Sequence, residues 1–279
     1  MRIPVRGEAP APAGHGPASP LPPMRDPTPP GPAAPTDACV RLDAPIVPQV
    51  RALGAGYDAW VHRSIRPKGS LRMFESDLLE AFSHIPWWLV LVVWVPVVLA
   101  LGLLSVLWQG LSPGLALAWA AGGLLLWTLL EYVLHRWLFH WVPAGATGRQ
   151  LHFLMHGIHH LDPWDGTRLV FPPVAGVIVA LPIFGLLWLA LPLAAAMAAM
   201  AGLLLGYIAY DMTHYHVHHR ACRTRWGKFL KAWHLAHHHK HWDAMFGVST
   251  PLWDLVFRTG RPVGPARAEG APPGAAGTP

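Results

Sequence analysis

Residues Trp87 to Trp108 read WWLVLVVWVPVVLALGLLSVLW, with no charged side chain. At 1.5 Å per helical residue this run is long enough to cross the roughly 30 Å hydrocarbon core of a bilayer. Leu111 to Leu130 is a second such run, closed by Glu131, and Gln109-Gly-Leu-Ser-Pro113 links the two as a hairpin. Leu169 to Tyr210 also lacks charge. As a helix it would extend about 63 Å, roughly two crossings, with Leu191-Pro192 as the natural turn. The chain is therefore expected to be an all-α integral membrane protein with four transmembrane helices in two hairpins. Buried core helices of a soluble domain are the alternative. Four spans of this length, with charge confined to the segments between them, argue against it.

Lys and Arg placement orients the spans. Neither hairpin turn contains one. Arg63, Arg66, Lys68 and Arg72 precede the first span, Arg136, Arg149 and Arg168 lie in the middle loop, and Arg220, Arg223, Arg225, Lys228 and Lys231 follow the fourth. By the positive-inside rule both termini and the middle loop face the cytoplasm. The net charge of +6 is accounted for by these flanks, so nucleic acid is not an expected partner. Cys39 and Cys222 form no spaced thiolate motif. Residues 1–45 hold thirteen of the thirty prolines and few bulky apolar side chains, which predicts a disordered Pro/Ala-rich segment. Residues 46–86 read as an interfacial approach segment, 87–259 as the membrane domain and 260–279 as a disordered tail.

Fifteen of the eighteen histidines lie between His135 and His241, and ten form four clusters. These are His135 with His140; His156, His159 and His160; His214 with His218; and His234, His237 and His238. Neutral imidazole is a strong ligand for borderline metals. Ten nitrogens are too many for one ion and about right for two. All four clusters fall on the cytoplasmic side, in a helical cap expected to hold a histidine-rich dimetal site. Positions three and four apart share a helix face, so His234, His237 and His238 project together, as do His156, His159 and His160 if helical. His135 and His140 are five apart, about 140° around an ideal helix. Either the helix distorts near Phe139 or the two serve different ions. His152, His216, His219, His239 and His241 break the paired spacing, and their roles stay open between outer partners and solvated side chains. His15, His62 and His84 stand apart from the clusters and receive no role.

The text His156-Gly-Ile-His159-His160-Leu-Asp-Pro-Trp-Asp165-Gly-Thr-Arg168-Leu-Val-Phe-Pro-Pro173 resembles the fatty acid hydroxylase superfamily, which includes sterol desaturases. It is closest to the fatty acid 2-hydroxylase branch. Tyr210-Asp-Met-Thr-His214, His218-His219, His234-Leu-Ala-His237-His238, Phe246-Gly-Val-Ser-Thr-Pro-Leu-Trp-Asp254 and the approach segment from Leu71 to Pro96 are similar in the same way. The resemblance covers about Pro67 to Thr259. It implies ten ligands to two iron ions: His135, His140, His156, His159, His160, His214, His218, His234, His237 and His238. Zinc could replace iron in a purified sample.

The activity implied is membrane di-iron monooxygenation, placing a hydroxyl next to the carbonyl of a long-chain fatty acid or acyl lipid with O2 and external electrons. Members often carry an N-terminal haem domain with a His-Pro-Gly-Gly motif. That motif is absent here, so a separate electron-donor protein is expected. Arg168, Asp162, Asp165, Asp211 and Asp243 are candidates to orient imidazoles or meet the substrate head, against interfacial ion pairing or loop capping. Another superfamily oxygenase, whether a desaturase or a sterol or carotenoid hydroxylase, is the nearest alternative. A metal transporter or membrane haem protein would need ionisable or histidine ligands within the spans, which are absent between Trp87 and Leu130 and between Leu169 and Tyr210. The Ala-, Pro-, Gly- and Arg-rich text suggests a bacterial gene and hence a bacterial cytoplasmic membrane, with membrane lipids around the spans.

Overall fold

The computed structural model describes residues 40–263. Of the expected disordered segments, residues 1–39 and 264–279 lie outside the described residues. All regular elements among the described residues are helical. Val40 to Pro45 leads in through a turn in which Gln49 Oε1 accepts from the Arg41 amide at 2.7 Å. Short helices α1 (Ile46–Val50), α2 (Tyr57–Val61) and α3 (Asp77–Phe82) follow. The first hairpin consists of α4 (Trp87–Leu107) and α5 (Pro113–Leu134). The connection between the two hairpins then carries α6 (Gly145–His152) and α7 (Ile158–Leu161). The second hairpin is α8 (Pro173–Ala190) and α9 (Leu193–His219), turning at Leu191 and Pro192 as expected. Helices α10 (Arg225–His239) and α11 (Leu252–Val256) close the cap.

Local chemistry explains the hairpin turns. Gly110, at φ +70°, takes the left-handed conformation that ends a helix, and its amide donates to Val106 O at 3.1 Å. Ser112 then accepts from the Leu115 amide, and Pro113 opens α5 where no amide donor is needed. Pro96 and Pro182 sit inside α4 and α8, a placement tolerated in membrane helices.

Two of the spans run further than charge alone indicates. The second does not stop at Glu131: helical structure continues to Phe139. Glu131 is buried and accepts from the amides of Val248 and Ser249 at 2.6 and 2.7 Å, so the carboxylate is spent on a loop. The fourth span continues past Tyr210 to His219. At about 40 Å it exceeds the hydrocarbon core and lifts its last turns clear of it.

Helix α9 is the axis of the bundle. It is mostly buried, whereas α4, α5 and α8 show most of their surface to lipid. Apolar burial gives no net attraction between helices in lipid, so close backbone contact has to supply it. A Cβ on Gly123 would lie 1.8 Å from Ala199 O, and one on Gly202 would lie 1.8 Å from Ala120 O. Only glycine permits the α5–α9 crossing at these points. A second apolar cluster gathers Ile46, Val50, Tyr57, Trp60 and Val61 around Phe153, Ile158 and Leu161. It seats the approach segment against the helices that carry the second histidine cluster.

Candidate metal centre

Past Leu134 the backbone widens from α to π geometry over His135–Phe139, and the His140 amide donates to His135 O at 3.2 Å. The extra residue per turn does what the five-residue spacing required. It brings the His135 and His140 rings to 5.0 Å between centroids, on one face. A second π turn spans Phe153–Gly157 and delivers His156. Gly157 fits there because a Cβ would meet the Tyr57 hydroxyl at 2.8 Å and Val61 at 2.9 Å.

The ten clustered histidines gather into two groups of five. One is His135, His140, His156, His160 and His237; the other is His159, His214, His218, His234 and His238. Within each group, one ring nitrogen per residue lies within 4.8 Å of all the others. The helix-face argument put His156, His159 and His160 together, and likewise His234, His237 and His238. In each triplet the pair four apart joins one group and the remaining histidine crosses to the neighbouring group. The groups abut, with His160 and His238 rings 4.4 Å apart.

Nε2–Nε2 distances test whether such a set suits a metal. In the first group, His135–His156, His140–His237 and His156–His160 measure 3.1 Å and His140–His160 measures 3.2 Å. In the second, His218–His234, His159–His214 and His234–His238 measure 2.8, 2.9 and 3.0 Å. Nitrogens about 2.1 Å from an ion stand about 3.0 Å apart at right angles and about 4.2 Å apart when opposite. The donor set therefore fits a five- or six-coordinate ion better than a tetrahedral one.

Protonation suits that purpose. Burial, reinforced by neighbouring imidazoles, holds His140, His156, His159, His160, His234, His237 and His238 well below the ordinary histidine range. These rings are neutral donors at physiological pH. Carbonyls fix two tautomers in the first group. His135 Nδ1 donates to Phe246 O at 2.5 Å, and His237 Nδ1 donates to Ala244 O at 2.6 Å. A carbonyl can only accept, so each Nε2 keeps its lone pair for the group's centre.

Between those carbonyls lies Met245, fully buried at φ +62°, a conformation uncommon for any residue but glycine. The kink aims the carbonyls on either side of Met245 at two different histidines. Asp254 holds the loop in that shape, accepting from the amides of Phe246 and Gly247 at 2.9 and 2.7 Å and from Thr259 Oγ1 at 2.7 Å.

The other candidates fall away from the groups. Arg168 is buried and donates to Ser70 and Leu71 O, Glu80 and Ser83, His84 and Asp165. A guanidinium so committed clamps the approach segment to the loop after α7. Asp165 accepts from Ser70, Thr167 N and Thr167 Oγ1 in the same network. Asp162 is buried, and burial pushes it up to about 6. Asp211 Oδ1 accepts weakly from the Phe171 amide at 3.4 Å, and Asp243 is exposed. Among the described residues, none of these acids accepts a hydrogen bond from the ten histidines.

Of the five histidines left open, His152 is fully buried against the Tyr57 hydroxyl at 2.6 Å. His216 and His239 are exposed and His219 and His241 half-buried. His15 lies outside the described residues. His62 and His84 do have partners, contrary to their isolation in sequence. His84 bonds Thr167, Glu80 and Arg168, while His62 stacks on Trp242 at 4.3 Å. Neither carries a spacing signal, because these contacts come mainly from distant segments.

A cavity of about 290 Å³ reaches the centre from the approach segment. Leu79 and Phe82 of α3 form its outer wall, and His156, His159 and His214 its inner end. A smaller apolar cavity among the spans shares Phe139, Phe171 and Tyr210 with it.

The profile of the fatty acid hydroxylase family matches residues 120–259. A dihydroceramide fatty acyl 2-hydroxylase of Arabidopsis thaliana is 42% identical over 221 residues, covering 79% of this chain and 92% of the relative. Fatty acid 2-hydroxylase of Rattus norvegicus is 42% identical over 238 residues, covering 77% of this chain and 63% of the relative. The solved structure of full-length Scs7p, in which only the hydroxylase domain is visible, superposes with a TM-score of 0.73 at 36% identity. That match covers 79% of this chain and 84% of the other.

Proposed function

Because this chain belongs to the fatty acid hydroxylase family, we propose that it hydroxylates a long-chain fatty acid or ceramide-like acyl lipid at the carbon next to the carbonyl. The observation that carries this reading is the 290 Å³ cavity, which touches His156 of the first group and His159 and His214 of the second. A substrate carbon held there would face both groups at once.

The ten histidines are read as the ligands of two ions, iron in the active enzyme and zinc as a possible substitute during expression. Bound iron supplies the redox chemistry that lets O2, two electrons and two protons convert a C–H bond to C–OH with release of water. Everything else falls to the chain. The neutral imidazoles leave the centre cationic. Exposed Leu78, Leu79 and Phe82 of α3 offer an acyl lipid a way in from the bilayer surface, and the Arg168 clamp holds that wall in place. Phe139, Phe171 and Tyr210 line the passage toward the apolar cavity, which suits an alkyl tail. The electrons are assigned to a separate donor protein. The Lys and Arg distribution supports a cytoplasmic position for the centre and, with a bacterial source, residence in the cytoplasmic membrane.

Expression in a host lacking 2-hydroxylated lipids, with a compatible electron donor, tests the chemistry. Mass spectrometry should show 2-hydroxy acyl chains; desaturated or ring-hydroxylated products would refute the branch assignment. Cysteine labelling tests sidedness. Gly148 is unsuitable, since a Cβ there would lie 2.0 Å from Pro143 O, but Thr147 is exposed. Thr147→Cys should react from the cytoplasmic side and Gly114→Cys from the opposite one. Reaction of both from one side would overturn the topology.

A further inference from the structure

At the edge of the first histidine group stands a pair of unpartnered atoms, one on a group member and one on a neighbouring ring. Nδ1 of His160 and Nε2 of His62 are both buried without a hydrogen-bond partner among the described residues. Their rings meet edge to face, 5.0 Å between centroids.

The roles of the two atoms are complementary. His62 Nδ1 lies 2.9 Å from the Asp58 carbonyl, so Nδ1 carries the proton and Nε2 is a lone pair. At His160, Nε2 converges on the group's centre at 3.1 and 3.2 Å from its neighbours. When that nitrogen binds a metal, the proton resides on Nδ1. The two rings are in edge contact, but their free donor and acceptor are not hydrogen-bonded to each other in this arrangement. His62 is also held with care: its side chain is only 6% exposed, stacked on Trp242 and within 6.2 Å of the His140 ring at an 11° tilt.

We propose that, when the first group binds a metal, the His62 ring turns to accept a hydrogen bond from His160 Nδ1–H, acting as a positioning residue for that group. The link would then run from the Asp58 carbonyl through His62 to His160, its first half already in place at 2.9 Å. It does for His160 what Phe246 O does for His135 and Ala244 O for His237. The inference rests on the metal-binding reading above.

The test uses the full chain in nanodiscs, loaded with Co²⁺ or Fe²⁺ and challenged with a chelator. His62→Phe keeps a ring between Trp242 and His140 but removes the acceptor. His62→Gln places an amide oxygen near the position of Nε2. Wild type should release two ions slowly. His62→Phe should release one of them roughly 10- to 100-fold faster, the usual scale for losing an outer partner, while the other stays put and reports an intact fold. The Co²⁺ spectrum should change for one ion only, and His62→Gln should recover most of the difference. Release of both ions from His62→Phe at wild-type rates would overturn the proposal, as would equal deficits in the Phe and Gln variants. If His62→Phe does not fold, His62→Gln decides: slow release of both ions supports the acceptor role and rapid release refutes it. A wild-type chain that takes up no metal would sink the metal reading and this inference together. Two slowly released ions that are indifferent to His62 would sink this inference alone.

Discussion

The two histidine groups reach similar geometry by different means. The second draws on regular helices: His214 and His218 of α9 and His234 and His238 of α10 are pairs four apart, met by His159 of α7. Helical pitch alone brings each pair together. The first draws on two π turns for His135, His140 and His156, with His160 from α7 and His237 from α10. Two of its outer nitrogens are fixed by one loop, through Phe246 O, 111 residues beyond His135, and Ala244 O, seven beyond His237. One group is made by secondary structure and the other by tertiary structure. The second should therefore withstand changes in loops that the first cannot.

Removing a ligand from each group is the strongest way to break that comparison. His237→Ala should cost one ion, and so should His238→Ala, each leaving roughly one ion per chain. Product should fall by more than about a hundredfold in both, above the usual scale for outer partners. Elemental analysis beside product assay checks it, with exposed His239→Ala as the unchanged control. Two ions retained in either variant would refute the grouping.

Met245 gives a more selective test. Met245→Ile puts a β-branched residue at φ +62° and should cost about 1–3 kcal/mol of strain, relieved by the backbone turning its carbonyls away. The first ion should weaken about tenfold while the second holds, on the outer-partner scale. Met245→Gly accepts the same backbone and should keep both ions. Equal loss of both ions in the Ile variant would mean that the groups are not supported separately.

Acid should affect the two groups alike, so it gives the smallest difference between them. His152 is pushed down to about 4 by burial, and the seven depressed clustered histidines named above shift in the same direction. Each has a lower pKa folded than unfolded, so the unfolded chain takes up protons first as pH falls. The stability they contribute is present above about pH 6.5 and is lost below it, for His152 down to about pH 4, at up to ~1.4 kcal/mol per pH unit per residue. Thermal unfolding of the metal-free chain at pH 7.5 and 5.5 should show a lower midpoint at 5.5. A midpoint that rises on acidification would contradict the burial of these rings.

What could be read from the sequence divides along the same line. The spans were visible because lipid demands long uncharged helices, and the ten histidines because helical spacing repeats. The His135–His140 spacing announced a distortion without saying which kind. The crossing of His159 and His237 to the opposite groups was not legible, since a shared helix face says nothing about where one ion ends and the next begins. Glu131, Asp254 and Met245 were invisible for a different reason. They act on backbone amides and carbonyls, which every residue possesses, so no side-chain pattern marks the partner. For Arg168 the sequence left imidazole orientation, a substrate contact and interfacial ion pairing all open, and only the fold brings Glu80 and Asp165 beside it.

Helix α9 has one more consequence. No kink or π turn interrupts it between the glycine crossing at Gly202 and the imidazoles of His214 and His218. It works as a lever whose fulcrum lies inside the bilayer. Gly202 to His218 spans about 24 Å, so a 5° change of tilt would carry the far end about 2 Å. Tilt is how a long span adjusts to hydrocarbon thickness. The second group is thus mechanically coupled to the lipid around it, whereas the π turn at the end of α5 places a joint between the membrane and the first.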